Sequence, residues 1–202
     1  MNDSLVWVVD DDEAVCDSLQ LLLKTVGLDS RAFPDGKAFL DAFDDNLPGC
    51  VVVDLRMPGM SGLELQEALH QRHSTLPVIF ITGHGTVDSA VHAMRAGAID
   101  FLQKPFDDQE LLDTIQRSIK RDRDSRDSLA AREQLIERSA TLTNREREVM
   151  ALVVEGHANK VIAFDLQVSE RTVEIHRSRV MKKMEANSLP HLVRMSLDLK
   201  KG

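Results

Sequence analysis

Over roughly the first 120 positions, apolar residues occur either in short unbroken runs or at helical spacing. The runs are rich in Val and Ile, as strands are, and the segments between them repeat apolar residues every three or four positions. Strand and helix alternate five times, and the nearly all-apolar runs are typical of a parallel sheet covered on both faces. The pattern predicts a doubly wound α/β fold, (βα)5. Its predicted strands are 5–9, 28–33, 50–53, 78–81 and 99–102.

The rest of the chain predicts helices only, from about residue 142 onward. Thr143 and Glu146 have the spacing of a capping box, in which each side chain accepts a hydrogen bond from the backbone N–H of the other residue. The helix that they begin is predicted to end before Gly156. Further helices are predicted at 159–166 and 169–184 and from Ser188, which makes a small all-α domain.

A charged stretch, KRDRDSRDS at 120–128, connects these two parts. Its charges alternate in sign, and it contains neither Gly nor Pro. An exposed helix and a flexible linker both agree with this composition. We therefore predict two domains, 1–120 and 139–202, joined by a charged segment, 121–138. Whether this segment is a helix or a flexible linker stays open.

Charge is distributed unevenly between the two halves. Residues 1–120 have 9 Lys and Arg against 20 Asp and Glu, a net charge of −11, while residues 121–202 have 16 against 13, a net charge of +3. This asymmetry favours two domains with different partners. Cys16 and Cys50 are far apart without metal-ligand spacing, and no apolar run approaches the roughly 20 residues of a membrane span. We expect free thiols, a cytoplasmic location and no membrane partner.

Polar side chains follow four of the five predicted strands. Asp10 and Asp11 follow the first strand, Asp54 the third, Thr82 the fourth and Lys104 the fifth. Because parallel strands end at one edge of the sheet, these side chains are expected to converge there. Three carboxylates repel one another, and a divalent cation such as Mg²⁺ relieves the repulsion. Such a site would let Asp54 act as a nucleophile toward a phosphoryl group.

Residues 1–120 resemble the receiver domain of two-component response regulators through the motifs VVDDDEAV, VVVDLRMPGMSG, VIFITGHG and AMRAGAIDFLQKPF. The resemblance implies that Asp54 is the phosphoacceptor. It also implies a Mg²⁺ site formed by Asp10, Asp11, Asp54 and the backbone carbonyl group of Arg56.

The same resemblance assigns roles to the other residues of this pocket. Thr82 and Phe101 match the switch hydroxyl and the switch aromatic residue, and Lys104 matches the pocket lysine. The bond between Lys104 and Pro105 is expected to be cis in such domains. Phe101 stands where Tyr is common, so its ring can rotate but has no hydroxyl group to form a hydrogen bond.

A phosphatase with an aspartyl-phosphate intermediate is an alternative from a different class. The haloacid-dehalogenase type needs a second acid two residues after the nucleophile to protonate the leaving group, and here that position is Arg56. We therefore expect a regulator and not an enzyme.

The predicted helix 169–184 is basic, with a net charge of +3. Val173, Val180 and Met184 recur at helical spacing and are predicted to face a core, whereas Ile175 is predicted to be more exposed. One apolar and one basic face, after a short helix and a tight turn, fit a helix-turn-helix. The alternative is a solvated basic face on a protein-interaction domain.

Residues 139–202 resemble a LuxR-type helix-turn-helix domain, and RTVEIHRSRVMKKM places them nearest the FixJ branch of the NarL/FixJ family. The resemblance makes 159–166 the supporting helix and 169–184 the recognition helix. NarL-like relatives often carry Lys at the positions of Glu174 and Ser178, so no DNA sequence preference is transferred from them. The predicted contacts are to phosphates from Lys160, Thr172, Arg177 and Arg179, and to base edges from Glu174 and Ser178.

Together, the two resemblances imply a transcription regulator that receives a phosphoryl group on Asp54. The expected partners are a sensor histidine kinase, double-stranded promoter DNA, a second copy of the chain on activation, and RNA polymerase. Activation and repression of transcription use the same parts, and both stay open. The rival hypothesis is a regulator that acts through protein contacts or without phosphorylation, and it predicts no effect of phosphorylation on DNA affinity.

Overall fold

The structure, a computed structural model, describes residues 4–83 and 85–200. His84 of the VIFITGHG motif and the ends of the predicted domains, 1–3 and 201–202, lie outside these ranges. Contacts divide the chain into two compact units, Met1–Asp127 and Ser128–Gly202. The predicted fold, a (βα)5 domain followed by a helical domain, is confirmed. Within the described ranges, no helix is both long and apolar enough to cross a membrane.

Five parallel strands form the sheet of the first unit, in the order second, first, third, fourth, fifth. The central third strand is buried at every residue, as its apolar run predicted. The strands are β1 Leu5–Val9, β2 Asp29–Phe33, β3 Gly49–Asp54, β4 Val78–Thr82 and β5 Asp100–Gln103, and the helices are α1 Glu13–Thr25, α2 Gly36–Ala42, α3 Gly62–Gln71, α4 Val87–Arg95 and α5 Asp108–Ala140.

Two apolar cores lie on opposite faces of this sheet, because successive strand residues point to alternate sides. Val6 and Val8 of β1 pack with apolar residues of α1 and α5. Trp7, between them in sequence, joins the other core, where its ring centroid lies 5.7 Å from that of Phe39 and 5.6 Å from that of Phe43. The sheet is therefore covered on both faces, as the apolar strands predicted.

Helix α4 exposes the apolar residues that marked it in the sequence. Val87 is 80% exposed, and Val91 and Met94 are also exposed, whereas the small residue Ala93 is fully buried. The apolar spacing thus predicted the helix correctly but does not mark its buried face. An exposed apolar face of this kind is unusual on a helix without a partner.

The charged connecting stretch is helical. It lies within α5, one helix from Asp108 to Ala140 that begins in the first unit and enters the second at Ser128. Of the two conformations that the composition allowed, the structure has the helix. The predicted connecting segment, 121–138, lies wholly within α5. Its separation from the two domains stays a prediction.

Four helices follow in the second unit, as predicted. The first begins with the predicted capping box: Glu146 N–H donates to Thr143 Oγ1 at 3.3 Å, and Thr143 N–H donates to Glu146 Oε2 at 2.8 Å. Their apolar faces enclose a single core together with Leu135 of α5. The four helices are α6 Asn144–Val154, α7 Asn159–Asp165, α8 Glu170–Lys183 and α9 Leu189–Lys200.

Candidate functional site

Side chains from three different strand ends meet at the carboxyl edge of the sheet. Lys104 Nζ donates hydrogen bonds to Asp10 Oδ2 at 2.6 Å and to Asp54 Oδ1 at 2.9 Å. Thr82, at the end of β4, is buried, and its carbonyl oxygen accepts from Lys104 N–H at 2.8 Å. The bond between Lys104 and Pro105 is cis, as the resemblance predicted. Residues up to 94 positions apart in sequence are thus brought together at one edge.

The two buried carboxylates have all four oxygens close to donors. Asp12 N–H donates to Asp10 Oδ1 at 3.0 Å, and Arg56 N–H donates to Asp54 Oδ2 at 2.6 Å. Lys104 bonds the other oxygen of each. Buried charges need such partners to avoid a large desolvation cost. The surrounding loops therefore hold both carboxylates in fixed positions.

Burial and pairing shift the ionisation of this cluster. Burial raises the pKa of Asp10, although hydrogen bonds from Lys104 and Asp12 act in the opposite direction. Burial also lowers the pKa of Lys104, but its hydrogen bonds to Asp10 and Asp54 outweigh that effect, and the net shift is upward. The Lys104 ammonium group is therefore charged at neutral pH and offsets part of the negative charge of the site.

Asp11 stands apart from the predicted cluster. It is exposed, and its side chain makes no hydrogen bond or ion pair to the described residues. Over residues 4–83 and 85–200, no three His, Cys, Asp or Glu side chains are arranged to hold a metal ion. Lys104 bridges the buried carboxylates instead. The available donors are nevertheless carboxylate and carbonyl oxygens, which are the ligands that Mg²⁺ prefers.

Phe101 and Thr82 both lie close to Gly85. A Cβ atom on Gly85 would lie 2.7 Å from the Phe101 ring and 2.9 Å from Thr82 Cγ2, so one of these side chains would have to shift to admit it. The Phe101 ring also lies 6.2 Å from the ring of Phe80. Sequence reasoning gave no role to Gly85. Its position within three residues of the end of a strand was the only available signal.

A second glycine missed in the sequence lies against Asp54 itself. A Cβ atom on Gly62 would lie 2.5 Å from the Asp54 carbonyl oxygen and 2.8 Å from the Phe80 ring. Gly62 is the first residue of α3, which follows the Pro-Gly turn after β3. The absence of a side chain here allows α3 to begin directly beside Asp54.

The basic helix α8 buries the predicted apolar residues and exposes its opposite side. Val173, Val180 and Met184 are buried in the core of the second unit. Ile175 is 45% exposed, as predicted. Of the predicted DNA contacts, Thr172 and Arg177 are half-buried, and the others are exposed: Lys160, Glu174, Ser178 and Arg179.

Two of the predicted phosphate contacts also bond within the protein. Arg177 Nη1 donates to Asn159 Oδ1 of α7 at 3.1 Å, and Thr172 Oγ1 lies 2.8 Å from Ser169 Oγ at the start of α8. Arg179, in contrast, has no hydrogen bond or ion pair with the described part of the chain. The Arg177 contact joins the two helices of the helix-turn-helix, so Arg177 has a structural role that the sequence did not reveal.

Comparison with known proteins decides the family. Residues 6–116 match the response regulator receiver domain family, and residues 140–196 match the luxR family of bacterial regulatory proteins. The chain belongs to the response regulators. Its receiver domain is followed by a LuxR-type DNA-binding domain, and the protein is a transcription regulator.

Similar proteins align with this response regulator over nearly the whole length of both chains. The transcriptional regulatory protein FixJ of Azorhizobium caulinodans is 48% identical over 192 residues, which cover 95% of this chain and 91% of the relative. The structure of the response regulator StyR has a TM-score of 0.89 at 40% identity and covers 96% of this chain and 98% of its own. Full-length FixJ from B. japonicum has a TM-score of 0.61 at 41% identity and covers 100% of both chains.

An ion pair between half-buried Lys183 and buried Glu146 fixes the end of α8 in this response regulator. Lys183 Nζ donates to Glu146 Oε2 at 2.7 Å and to the carbonyl oxygen of Thr141 at 2.9 Å. Glu146 is almost fully buried. Arg138 of α5 and Glu185, just beyond α8, form a second ion pair at 2.8 Å. The recognition helix is therefore tied to α6 and to the end of α5.

Replacing Glu146 with Gln is expected to remove an acid-sensitive part of the stability of the second unit. The Lys183 hydrogen bond, followed by that of Thr143 N–H, lowers the pKa of Glu146 from 4.5 to about 2. Because the folded-state pKa is below the unfolded value, this stabilisation is complete above pH 4.5 and is lost as the pH falls toward 2. Gln preserves the capping-box geometry but not the charge.

Calorimetry of the full chain across this pH range tests the prediction. The transition without a change in the fluorescence of Trp7, the only Trp, belongs to the second unit. Its midpoint should fall less with acidification in Glu146→Gln than in the wild type. Glu133→Gln, at an exposed position of α5, is the charge-matched control and should behave as the wild type. Equal pH dependence in Glu146→Gln and the wild type would contradict the assignment.

Proposed function

We propose that phosphoryl transfer from a sensor histidine kinase to Asp54 controls how this response regulator binds promoter DNA. The observation that supports this most directly is the placement of Asp54. Its carboxylate ends the central strand β3, is largely buried, and lies 2.9 Å from the Lys104 ammonium group. A carboxylate nucleophile is thus held beside a fixed cation at the edge where doubly wound sheets bind ligands.

In the proposed transfer, a carboxylate oxygen of Asp54 attacks the phosphorus atom of a phosphohistidine. The phosphorus–nitrogen bond breaks as the phosphorus–oxygen bond forms, and the histidine leaves with its electron pair. Lys104, which contacts Asp10 and Asp54, is placed to offset the negative charge of the transferred oxygens. The product carries roughly −1.5 to −2 charges at residue 54, where the Asp54 carboxylate carried a single negative charge before.

Thr82 and Phe101 are the residues that we expect to respond to the new charge. Thr82 supplies a hydroxyl group to a phosphoryl oxygen, and the Phe101 ring, packed against Gly85 beside Thr82, changes position with it. Support comes from the close packing of these three residues, since a Cβ atom on Gly85 would lie within 3 Å of both the Phe101 ring and Thr82 Cγ2. Such linked side chains can convert a local charge change into a choice between two states.

We assign a Mg²⁺ site to Asp10, Asp11, Asp54 and the carbonyl oxygen of Arg56. Their all-oxygen donor set and net negative charge support the assignment. A bound ion would supply charge stabilisation to the phosphoryl oxygens during transfer. Asp10 and Asp54 would share their oxygens between the ion and Lys104, and the exposed Asp11 would turn toward them.

A single transfer, and not catalytic turnover, is the role that we infer for Asp54. A phosphatase of the haloacid-dehalogenase type would need an acid at position 56. Arg56 stands there, and its N–H bonds Asp54 Oδ2. The chain would therefore act as a regulator and not as an enzyme.

The DNA contacts that we propose lie on α7 and α8. The exposed stripe of α8 carries Glu174 and Ser178, which we expect to contact base edges, and Ile175, whose apolar side chain suits the methyl group of thymine. A Glu carboxylate accepts a hydrogen bond from the amino group of cytosine. The proposed phosphate contacts flank these positions and come from Lys160, Thr172, Arg177 and Arg179.

We further propose that the phosphorylated chain works as a homodimer in the cytoplasm and contacts RNA polymerase. Support for dimerisation comes from the exposed apolar residues of α4, Val87, Val91 and Met94, which a second copy would cover. Two copies would read half-sites about one helical turn, roughly 10 bp, apart. The same arrangement serves activation or repression of transcription.

Selection of genomic fragments by the full chain, with and without acetyl phosphate and Mg²⁺, tests the proposed function. We expect a small set of fragments with paired half-sites to be enriched, and their recovery to rise on phosphorylation. Equal recovery under both conditions would favour an unphosphorylated switch. The absence of any enriched sequence would favour regulation through protein contacts.

A further inference from the structure

The buried stripe of α5 changes from apolar to charged as the helix continues. Leu111, Ile115 and Ile119 are buried in the core that α1 and α5 form with the sheet. The next position on the same stripe, one turn later, is Asp122, which is 0% exposed. A buried carboxylate is costly unless its oxygens are bonded. A charge at this position therefore requires partners from the rest of the receiver domain.

Three donors from different parts of the receiver domain bond Asp122. Gly49 N–H donates to Asp122 Oδ2 at 2.9 Å, and Thr75 Oγ1 donates to Asp122 Oδ1 at 3.3 Å. Arg126 Nε, one turn further along α5, donates to Oδ2 at 2.7 Å. Gly49 begins β3, and Thr75 precedes β4. The carboxylate thus joins α5 to the amino-terminal edge of the sheet at β3 and β4.

Arg126 extends this network to the segment before β3. Its Nη1 donates to the carbonyl oxygen of Asp45, and its Nη2 lies 3.5 Å from Asp45 Oδ1. Ser74 Oγ bonds the same Asp45 oxygen at 2.7 Å. Arg126 is only 22% exposed, so its pairing with Asp122 is more than a surface contact. Asp122 and Arg126 hold the part of α5 just before Ser128 to the receiver domain.

This network and the proposed phosphoacceptor lie at opposite ends of one strand. Gly49 is the first residue of β3 and Asp54 the last. A strand of this length separates its ends by roughly 17 Å, so side chains of the network cannot contact the phosphoryl group. Changes to the network should therefore leave the chemistry at Asp54 intact.

We propose that Asp122 and Arg126 are positioning residues for the response to phosphorylation. They fix α5 to the receiver domain up to the point where the helix enters the second unit, so that a change of state in the receiver domain is passed to α5. Without them, the end of α5 would move independently of the receiver domain, and DNA affinity would depend less on phosphorylation. This inference rests on the proposed control of DNA binding by Asp54.

Arg126→Gln in the full chain is the main test, and Arg121→Gln is its matched control. Both remove one positive charge from α5, but Arg121 is exposed and has no hydrogen bond or ion pair within the described ranges. Asp122→Asn is a second variant, which keeps an amide oxygen as an acceptor for Gly49 N–H and removes the negative charge that pairs with Arg126. The ratio of DNA affinities with and without acetyl phosphate, on a fragment from the genomic selection, is measured for each.

We expect Arg126→Gln and Asp122→Asn to reduce this ratio by about three- to tenfold and Arg121→Gln to leave it unchanged. Labelling of Asp54 by acetyl phosphate should stay as in the wild type for Arg126→Gln at a temperature at which Trp7 fluorescence shows a fully folded receiver domain, which separates positioning from general destabilisation. The unfolding midpoint itself is expected to fall, because buried Asp122 loses a charged partner. Amide hydrogen exchange should become faster within 120–127.

Three results would overturn the inference. One is an unchanged affinity ratio in Arg126→Gln, another is an equal loss in Arg121→Gln, and the third is a loss of Asp54 labelling parallel to the loss of response. If the wild type itself shows no effect of phosphorylation on DNA affinity, the proposed function fails, and that outcome is distinct from the other three.

Discussion

Asp54→Asn is expected to abolish phosphorylation of the chain and, with it, the effect of acetyl phosphate on DNA affinity. An amide nitrogen or oxygen is a far weaker nucleophile than a carboxylate oxygen, so no phosphorus–oxygen bond forms. Asn has the same shape as Asp, and its amide oxygen can still accept from Arg56 N–H, which now donates to Asp54 Oδ2 at 2.6 Å. The variant should therefore keep the fold and the shape of the site, while residue 54 carries no charge.

Intact mass after incubation with acetyl phosphate and Mg²⁺ measures this prediction. The wild type should gain one phosphoryl group that hydroxylamine removes, as expected of an acyl phosphate, and Asp54→Asn should gain none. Asp41→Asn, an equal change at an exposed position of α2, should label as the wild type does. Labelling of Asp54→Asn at the wild-type level would move the phosphoacceptor to another residue.

The convergence of the site was predictable because it follows from topology. Once Asp10, Asp54 and Lys104 are placed at the ends of parallel strands, the sheet brings them together whatever their separation in sequence. The sequence could not show that Lys104 bridges both carboxylates, or that Asp11 stays exposed. Those features depend on loop conformations, which strand patterns do not determine.

Helix faces were predictable only where large apolar residues make the contact. In α8, Val173 and Val180 mark the buried side correctly. In α4, the small residue Ala93 is buried, and Val87 and Met94 are exposed. Side-chain size is a weak guide where a helix lies close to its sheet, since only a small residue fits between them.

The charged stretch after residue 120 shows a different limit of sequence reasoning. Its composition allowed a helix or a flexible linker, because both keep charged side chains in water. The structure contains a helix there, and Asp122 of this helix bonds a backbone N–H 73 residues away. No local pattern distinguishes that carboxylate from its exposed neighbours, since two of its three partners come from the first residue of β3 and from the segment before β4.

Removing both Arg177 and Arg179 is expected to weaken DNA binding by about a hundredfold, to a similar extent on all sequences. Each arginine is a proposed phosphate contact, and a hydrogen bond to a charged group contributes about 1.5 kcal/mol or more, which is roughly tenfold in affinity. Phosphate contacts carry no sequence information, so specific and non-specific fragments should lose affinity together. The slope of log affinity against log salt should become shallower by about 2.

The single variants separate a DNA contact from a structural effect. Arg179 has no partner within the described part of the protein, so Arg179→Ala should flatten the salt slope by about 1 without a change in stability. Arg177→Ala also loses the 3.1 Å hydrogen bond to Asn159. Asn159→Ala removes that bond while leaving the charge in place, so it should change the stability of the second unit and leave the salt slope unaltered.

Fluorescence anisotropy titrations at several salt concentrations give affinity and slope together, and Arg194→Ala, exposed on α9, controls for net charge. A slope that changes as much in Arg194→Ala as in Arg179→Ala would mean that overall charge, and not contact, sets the salt dependence. A slope that changes only in the α8 variants would place these arginines at the phosphate backbone.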